Sequence, residues 1–483
     1  MRKLVLCLLS VLCLYACMED DNYIVSPNAG VEIWKDTASL DTVIANEVTQ
    51  TDTFKVYNLH KQPIRFSKIW LEKGSESPFR VNIDGQSLLP GQTIENVEIA
   101  KKDSLIVFFF VKATDFDKDQ AEMETDKLHF LTEGGKEQHI VLKCYSQSVI
   151  TLDDLSIADD QVLSGARPYH VKGGLTVEET GTLTIESGVT VLFDEKSDLK
   201  VNGKLIVNGT LEKPVVFRSD RLGNMIVDMP YDKIPGQWGG VVLGANSFGN
   251  HLNYVDIHGG NNGVLIEKSD ESQQKLLLEN SIIHNVSKYG LSSDGSQIKV
   301  VNTQISNAGL DCVNLYGGDS EFIHCTIANF YPFVGGHGIA LRFSNYRDDE
   351  RCPIKNLHFK NSIISGISFD DVVGTKNQDY TSDLFEYNFT NCLLNTERVD
   401  DELHFQNCIF SSDYRNEMKE SDNFTPAFDY DKLVFNFDLS EQSKAVNSAD
   451  YDIAASEAPL DRHGNSRTAD HNPDMGCYEH QSE

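Results

Sequence analysis

The stretch LENSIIHNVSKYGLSSDGSQIKVVNTQISNAGLDCVNLYGGDSEFIHCTIANF, from Leu278 to Phe330, decides the fold. Three of its segments are one phrase repeated: LENSIIHN, VVNTQISN and FIHCTIAN. Ile283, Ile305 and Ile327 recur at intervals of 22 residues, and Asn285, Asn307 and Asn329 follow at the same spacing. No helix-period segment lies between the repeats. A period of this length fits one coil of three short strands, so the repeat predicts a solenoid whose equivalent positions stack about 4.8 Å apart. In that stack the isoleucines form an interior aliphatic row. The asparagines form a ladder at a turn, each amide bonded to the next coil.

The phrase continues downstream. FKNSIISG, FTNCLLN and FQNCIFS carry the same strand forward at Asn361, Asn391 and Asn407. Longer intervals imply inserted loops, roughly Phe330–Gly336, Tyr346–Pro353 and Asp370–Phe385, and such insertions often build the binding face of a repeat protein. Upstream, YHVKGGLTVEETGTLTIESGVTVLFDEKSDLKVNGKLIVNGTLEKPVVFRS is a string of short alternating strands punctuated by Gly181, Gly188, Gly203 and Gly209. With GQWGGVVL at Gly236–Leu243, it resembles the first coils of pectate-lyase-like β-helices. Near the C-terminus, PLDRHGNSRTADHNPDMGCYEH resembles the closing segment of β-helix proteins called choice-of-anchor Q, on Asp461, Gly464, Arg467, Asp474, Gly476 and Glu479. Residues 149–483 are therefore expected to form a right-handed parallel β-helix with a cap from about 455 to 483. A solenoid leaves its last coil open, and the cap is expected to cover that edge, with Arg467 paired to carboxylates.

Residues 31–148 read as short strands between turns. Phe54–Tyr57, Phe79–Ile83 and His139–Cys144 alternate, and Leu105–Val111 is a near-continuous apolar run, as for a buried strand. Pro90-Gly91, Asp84-Gly85 and Gly134-Gly135 mark turns. This pattern predicts a β-sandwich. The order FKVYN, PFRV, LPGQ, DSLIVFFFV, DKLHFLTEGG, HIVLKCYS resembles the ASH-type immunoglobulin-like domains. The predicted fold class is thus all-β, a β-helix preceded by an immunoglobulin-like sandwich. Asp115, Asp117 and Asp119 alternate in a loop of this domain, a pattern that suits Ca²⁺, although Gln120 and Asp126 break the EF-hand pattern. A plain acidic loop is the competing reading.

The N-terminus has the form of a secretory signal: Arg2 and Lys3, an apolar run Leu4–Leu14, then the small Ala16. The run is about half of the roughly 20 residues a membrane-spanning helix needs. Leu14-Tyr15-Ala16-Cys17 resembles a bacterial lipobox, so residues 1–17 read as lipoprotein signal peptide and lipobox, and the resemblance implies that Cys17 becomes the lipid-modified first residue of the mature chain. An acidic linker, 18–30, follows, and Met18-Glu19-Asp20-Asp21-Asn22 resembles the surface-export signal of some lipoproteins. The expected location is the outer membrane, surface-exposed, with the lipid as the only anchor. A formal charge of −31 argues against nucleic acid and anionic membrane surfaces as partners, and against unaided binding of a polyanion. The remaining cysteines, Cys144, Cys312, Cys325, Cys352, Cys392, Cys408 and Cys477, show no metal-site spacing and read mainly as small buried hydrophobes. A Cys392–Cys408 disulfide stays open.

A β-helix displays outward side chains in columns that suit extended polymers. Aligning the strand after each asparagine places Val264, Leu291, Val313 and Ile339 inward and Glu267, Asp294, Tyr316 and Arg342 outward in one column. Asn314 is outward one step earlier, with Asp311 and His337 at the strand entrances. LDCVNLYGG and GGHGIALRF are similar to segments of polygalacturonases, which implies Asp311 as a catalytic acid and His337 as its helper. Leu310 and Tyr289 stand where that family has further acids, and its Arg-Ile-Lys motif is missing. A lyase would use Arg342 or His337 as base and Asp294, Asp311 and Asp371 for Ca²⁺. Tyr316, Phe330, Tyr331, Phe333, Phe343 and Tyr346 cluster in and beside the loops, where aromatic faces stack on sugars. The leading expectation is a cell-envelope lipoprotein that binds or presents polysaccharide through Asp294, Asn314, Tyr316, Tyr331 and Tyr346. A lyase or glycoside hydrolase acting on a uronate-containing glycan is the alternative, and a structural spacer or adhesin the third.

Overall fold

The computed structural model describes residues 22–226, 229–333, 336–380, 383–425 and 428–481. The expected signal, Cys17 and residues 18–21 of the expected acidic linker lie outside them. The chain divides into two compact units between Ser148 and Val149.

The first unit is a sandwich. One sheet runs Thr37–Ile44, Glu137–Gln147, Glu122–Thr132 and Ile64–Leu71, and the last of these also pairs with Thr93–Ile94 and Val97–Ile99. The other runs Asp52–Tyr57, Ser104–Val111, Phe79–Ile83 and Gln86–Leu88. Inward residues of both sheets, among them Phe54, Phe66, Phe79, Phe109 and Phe130, share one core. Ser104–Val111 corrects the expectation of a fully buried strand. Leu105, Val107, Phe109 and Val111 face inward, while Ile106 and Phe108 are 41% and 42% exposed. The run is a half-buried strand whose outer face is also apolar.

The second unit is a parallel β-helix, right-handed as parallel crossovers are. Each complete coil contributes one strand to each of three rows. Sheet A has ten strands, from Asp160–Leu163 to Phe405–Gln406. Sheet B includes Val255–His258, Ile282–Val286, Gln304–Ala308, Thr326–Asn329 and Ile363–Gly366. Sheet C includes Val264–Ile266, Leu291–Asp294, Val313–Tyr316, Leu341–Ser344 and Val372–Thr375. In sheet B, Ile283, Ile305 and Ile327 are direct register partners with no exposed surface. Sheet A adds an interior aromatic row, Phe322, Phe359, Phe389 and Phe405, with ring centroids 4.4, 5.3 and 5.3 Å apart.

In each coil after the one turned by Tyr254 (φ 45°), the bend from sheet A to sheet B is again a position of positive φ. Asn280, Asn302, His324, Asn361, Asn391 and Asn407 fill it, with φ between 48° and 52°. Asparagine tolerates this left-handed conformation better than most side chains. Its amide also links coils: Asn302 Nδ2 donates to Asn280 Oδ1 (3.2 Å), and Asn280 Nδ2 to Asn253 Oδ1 (2.8 Å). The residue after each of these asparagines and after His324 is small: Ser281, Thr303, Cys325, Ser362, Cys392 or Cys408. Its hydroxyl or thiol donates to the carbonyl two residues earlier. Three cysteines therefore have a structural reason, and all three carry free thiols, the neighbours Cys392 and Cys408 included. Asn285 and Asn307 form a second positive-φ pair, joined at 3.5 Å from Asn307 Nδ2 to Asn285 Oδ1. Asn329 ends the row differently, donating to the carbonyls of Ala308, Leu310 and Gly338.

The C-terminal segment runs along the side of the solenoid, not across its last coil, which corrects the expectation for 455–483. Tyr414, Phe424, Phe437, Leu439, Met475 and Tyr478 cover the outward Ala328, Ile363 and Leu393 of sheet B, together with Phe330. The segment then reads the asparagine bend. Asn302 Nδ2 donates to the Leu460 carbonyl (2.7 Å), and Asn361 exchanges two bonds with the backbone of Asp450 (2.9 Å each). Arg467 is fully buried here. It donates to Glu479 Oε1 (2.5 Å), Asn302 Oδ1 (3.0 Å) and the carbonyls of Gly476 and Asp474.

Candidate functional site

Sheet C keeps an outward face beside two inserted loops. Its register pairs Ser292 with Asn314 and Asn314 with Arg342, while Asp294 pairs with Tyr316 and Tyr316 with Ser344. Leu341, not Ile339, is the inward partner of Val313. Arg342 therefore belongs to the Ser292–Asn314 column, and the single column with Asp294 and Tyr316 expected from the sequence is corrected to two. The coil is two residues longer than the pattern implied.

Arg342 bends back to Asp311. Its Nε donates to Asp311 Oδ2 (2.8 Å) and its Nη2 to Oδ1 (3.3 Å), and the Ile339 amide fills Oδ1 at 2.9 Å. Asp311 is 5% exposed, so its acceptors are spent on scaffold and guanidinium, whereas the Arg342 side chain is 41% exposed. Asp311 also pushes the Arg342 pKa further up, which holds the guanidinium protonated. His337 hydrogen-bonds the Gly338 carbonyl at 2.6 Å and, among the described residues, neither Asp311 nor Arg342. The catalytic trio of Asp311, His337 and Arg342 is thereby reduced to an ion pair.

Asp294 is likewise taken. Arg347, on the short hairpin Tyr346–Arg347/Glu350–Arg351, donates to Asp294 Oδ2 at 2.9 Å and lies 5.3 Å from the Tyr316 ring centroid. Asp371 is fully buried and bonded to Asn395 and the Ala340 amide, so Asp294, Asp311 and Asp371 do not form a calcium set. Tyr316 and Tyr346 are half-buried at the surface. Tyr331, Phe330 and Phe343 are corrected: all three are buried, Phe330 under the C-terminal segment, Tyr331 against Gly309 and Phe333, and Phe343 inside the solenoid.

Two residues of this face were not expected from sequence. Tyr289 enters as the position of a missing acid. Burial, and then Tyr316 and Asp311, push its phenol pKa up, so it stays a neutral hydroxyl beside Arg342. Arg347 sits in an inserted loop, and its charge next to Asp348 and Asp349 gave no direction. Asn314 belongs to the Arg342 column and is 1% exposed, which corrects its place among the glycan-binding residues. Its Nδ2 reaches Ser292 Oγ at 3.4 Å, and its Oδ1 has no hydrogen-bond partner. The face offers hydroxyls and two paired guanidiniums, with Asn314 beneath them.

Asp115, Asp117 and Asp119 do not bring their carboxylates together, so the calcium reading of that loop is also corrected. Asp115 accepts from Ser148 Oγ (2.6 Å), the Asp117 amide (2.9 Å) and Asn46 (3.4 Å), which is a turn built on one aspartate. A cavity of about 540 Å³ lies beside the cap, lined by Phe330, Phe369, Arg415, Glu420 and Tyr430. Its carboxylate is already held by Tyr414 (2.7 Å) and Ser365 (2.9 Å).

A family model described as a pectate-lyase like beta helix domain matches residues 155–264. No curated protein matches the chain. Among solved structures, the ASH/PapD-like domain of human CEP192 (PapD-like domain 7) is similar at 12% identity, covering 27% of this chain and 98% of that one, with a TM-score of 0.18. A family 123 glycoside hydrolase from Clostridium perfringens, titled for glycolipid glycan hydrolysis, is similar at 8% identity over 26% of each chain, with a TM-score of 0.18.

Proposed function

We propose that the outward face of sheet C binds polysaccharide without turning it over, and that the chain presents this face from the outer membrane on a lipid at Cys17. The observation that carries the binding reading is the Arg342 guanidinium, 41% exposed and held by the buried Asp311, on a face that also presents the half-buried Tyr316 and Tyr346. Hydrolysis needs two available carboxylates on the scissile bond, and here Asp311 and Asp294 are each neutralised by an arginine. Proton abstraction needs a base that can be deprotonated, and Asp311 holds Arg342 in its charged form. The net charge of −31 and the neutral pairs favour a hydroxyl-rich, weakly charged glycan over a polyuronate.

The test is affinity electrophoresis and calorimetry against a panel of neutral and acidic glycans, with product analysis of the same mixtures. One or more glycans are expected to be retained with no new reducing ends or unsaturated sugar. Arg342→Ala and Tyr316→Ala, checked for native unfolding, are each expected to weaken retention at least tenfold, about 1.4 kcal/mol. Product formation would replace binding by catalysis, and retention unchanged in both variants would move the site off sheet C. The anchor rests on the Leu14–Cys17 sequence. Cys17→Ser is expected to move the protein from the membrane to the soluble fraction of cells; persistence in the membrane would refute the lipid.

A further inference from the structure

The outward side of sheet B carries a cluster that the glycan face does not use. Asp256 and His258 stand two residues apart on the strand Val255–His258, so alternation points both outward. His284 is the register partner of His258 on the next coil, with ring centroids 4.9 Å apart. Asp256 Oδ1 lies 2.8 Å from His258 Nδ1 and 3.2 Å from His284 Nε2. One ligand atom from each of the three falls within 4.8 Å of the others.

We propose that Asp256, His258 and His284 bind a divalent transition metal of the Zn²⁺ class. Two imidazoles and one carboxylate suit Zn²⁺, Co²⁺ or Ni²⁺, whereas Ca²⁺ asks for a shell of oxygens. A second observation points the same way. Metal-bound histidines generally donate their other ring N–H to a carboxylate, which fixes ring and tautomer. His258 does this: its Nε2 lies 2.7 Å from Asp232 Oδ1, and Arg218 Nη1 holds that oxygen at 2.9 Å. This support comes from outside the ligand set and turns Nδ1 toward Asp256 and His284. The site is reachable, since the Asp256 and His284 side chains are each 27% exposed. Three protein ligands leave a coordination position for water or for a ligand atom.

The experiment uses the tag-free mature chain with the metals alone. Zn²⁺ is expected to bind at one equivalent by calorimetry, Ca²⁺ to leave that isotherm unchanged, and Co²⁺ to give visible d–d absorption that Zn²⁺ removes. His284→Ala is expected to lose at least 100-fold in Zn²⁺ affinity. Asp232→Asn is expected to lose 10–100-fold at unchanged stoichiometry, because it removes only the support behind His258. Both side chains reach solvent, and a circular dichroism spectrum shows whether each variant folds; His284→Gln serves as the milder truncation of the same ligand. A folded wild-type chain that takes up no Zn²⁺, or uptake that His284→Ala and His284→Gln leave intact, overturns the site.

Discussion

Arg467→Met is expected to destabilise the β-helix unit by about 3–5 kcal/mol, read as a shifted midpoint in chemical unfolding. Arg467 has no exposed surface and donates to four groups, while its partner Glu479 is 9% exposed. Removing the guanidinium leaves the Glu479 carboxylate buried without its cation, and a broken buried pair costs far more than an intact one contributes. It also strips the donor from Asn302 Oδ1 and two carbonyls. Arg467→Lys is expected to recover little, because one ammonium cannot reach the positions a planar fork spans. Arg467→Met combined with Glu479→Gln is expected to recover much of the loss, since no orphaned charge remains. The failure should be local in origin: the cap covers Ala328, Ile363 and Leu393, so its release exposes an apolar strip. Dye binding before the main unfolding transition would report that strip. A loss below about 1 kcal/mol would mean that the cap is held by its apolar contacts alone.

The same cap explains what could be read in advance. The isoleucine row was legible because the pattern is local and strictly spaced, and interior stacking accepts little variation. The asparagine bend was half legible. Asn361, Asn391 and Asn407 stood out, yet they stack with Asn280 and Asn302, not with Asn285 and Asn307. The missed cue is the small residue after each bend, Ser281 through Cys408, whose hydroxyl or thiol closes the turn. The Arg342 column went wrong for a reason alternation cannot cure. An offset of two residues preserves inward and outward parity, so Ile339 and Leu341 fit the pattern equally well; only pairing with Val313 separates them. Tyr331 and Phe330 look like loop aromatics because the residues that bury Phe330 come some hundred positions later. The Asp311–Arg342 pair was visible as two charges on one face. That it uses up the carboxylate depends on the Ile339 amide and the guanidinium both turning toward it, which no one-dimensional pattern encodes.

Asp371→Asn is expected to flatten the stability of the unit between pH 5 and pH 8. Asp371 occupies the corner before a sheet C strand, where earlier coils place Gly263, Gly290, Cys312 and Ala340. Those are small for a reason: a Cβ on Gly263 or Gly290 would lie 2.3 or 2.5 Å from an isoleucine methyl of the interior row. A carboxylate fits the later coil only because Gly366 leaves room, its own Cβ position being 2.6 Å from Asp371 Oδ2. Once there it is fully buried, and burial pushes its pKa up to about 7 against the lowering effect of Asn395 and the Ala340 amide. The unfolded chain has the usual value near 4. A raised folded pKa means that the native state holds the proton more tightly, so this contribution to stability is complete below about pH 4 and is lost as pH rises through 7. At about 1.4 kcal/mol per unit, a shift of about three units bounds the loss near 4 kcal/mol, and about 2–4 kcal/mol is expected. Asparagine keeps an acceptor for the Ala340 amide and can face a flipped Asn395, but it has no charge to bury. Urea unfolding of both chains at pH 5 and pH 8 isolates the effect, because every other titrating group is common to the pair. Equal pH dependence in the two chains would show that Asp371 is ionised throughout, and the corner would then have to supply a compensating donor that Asn395 and Ala340 alone do not.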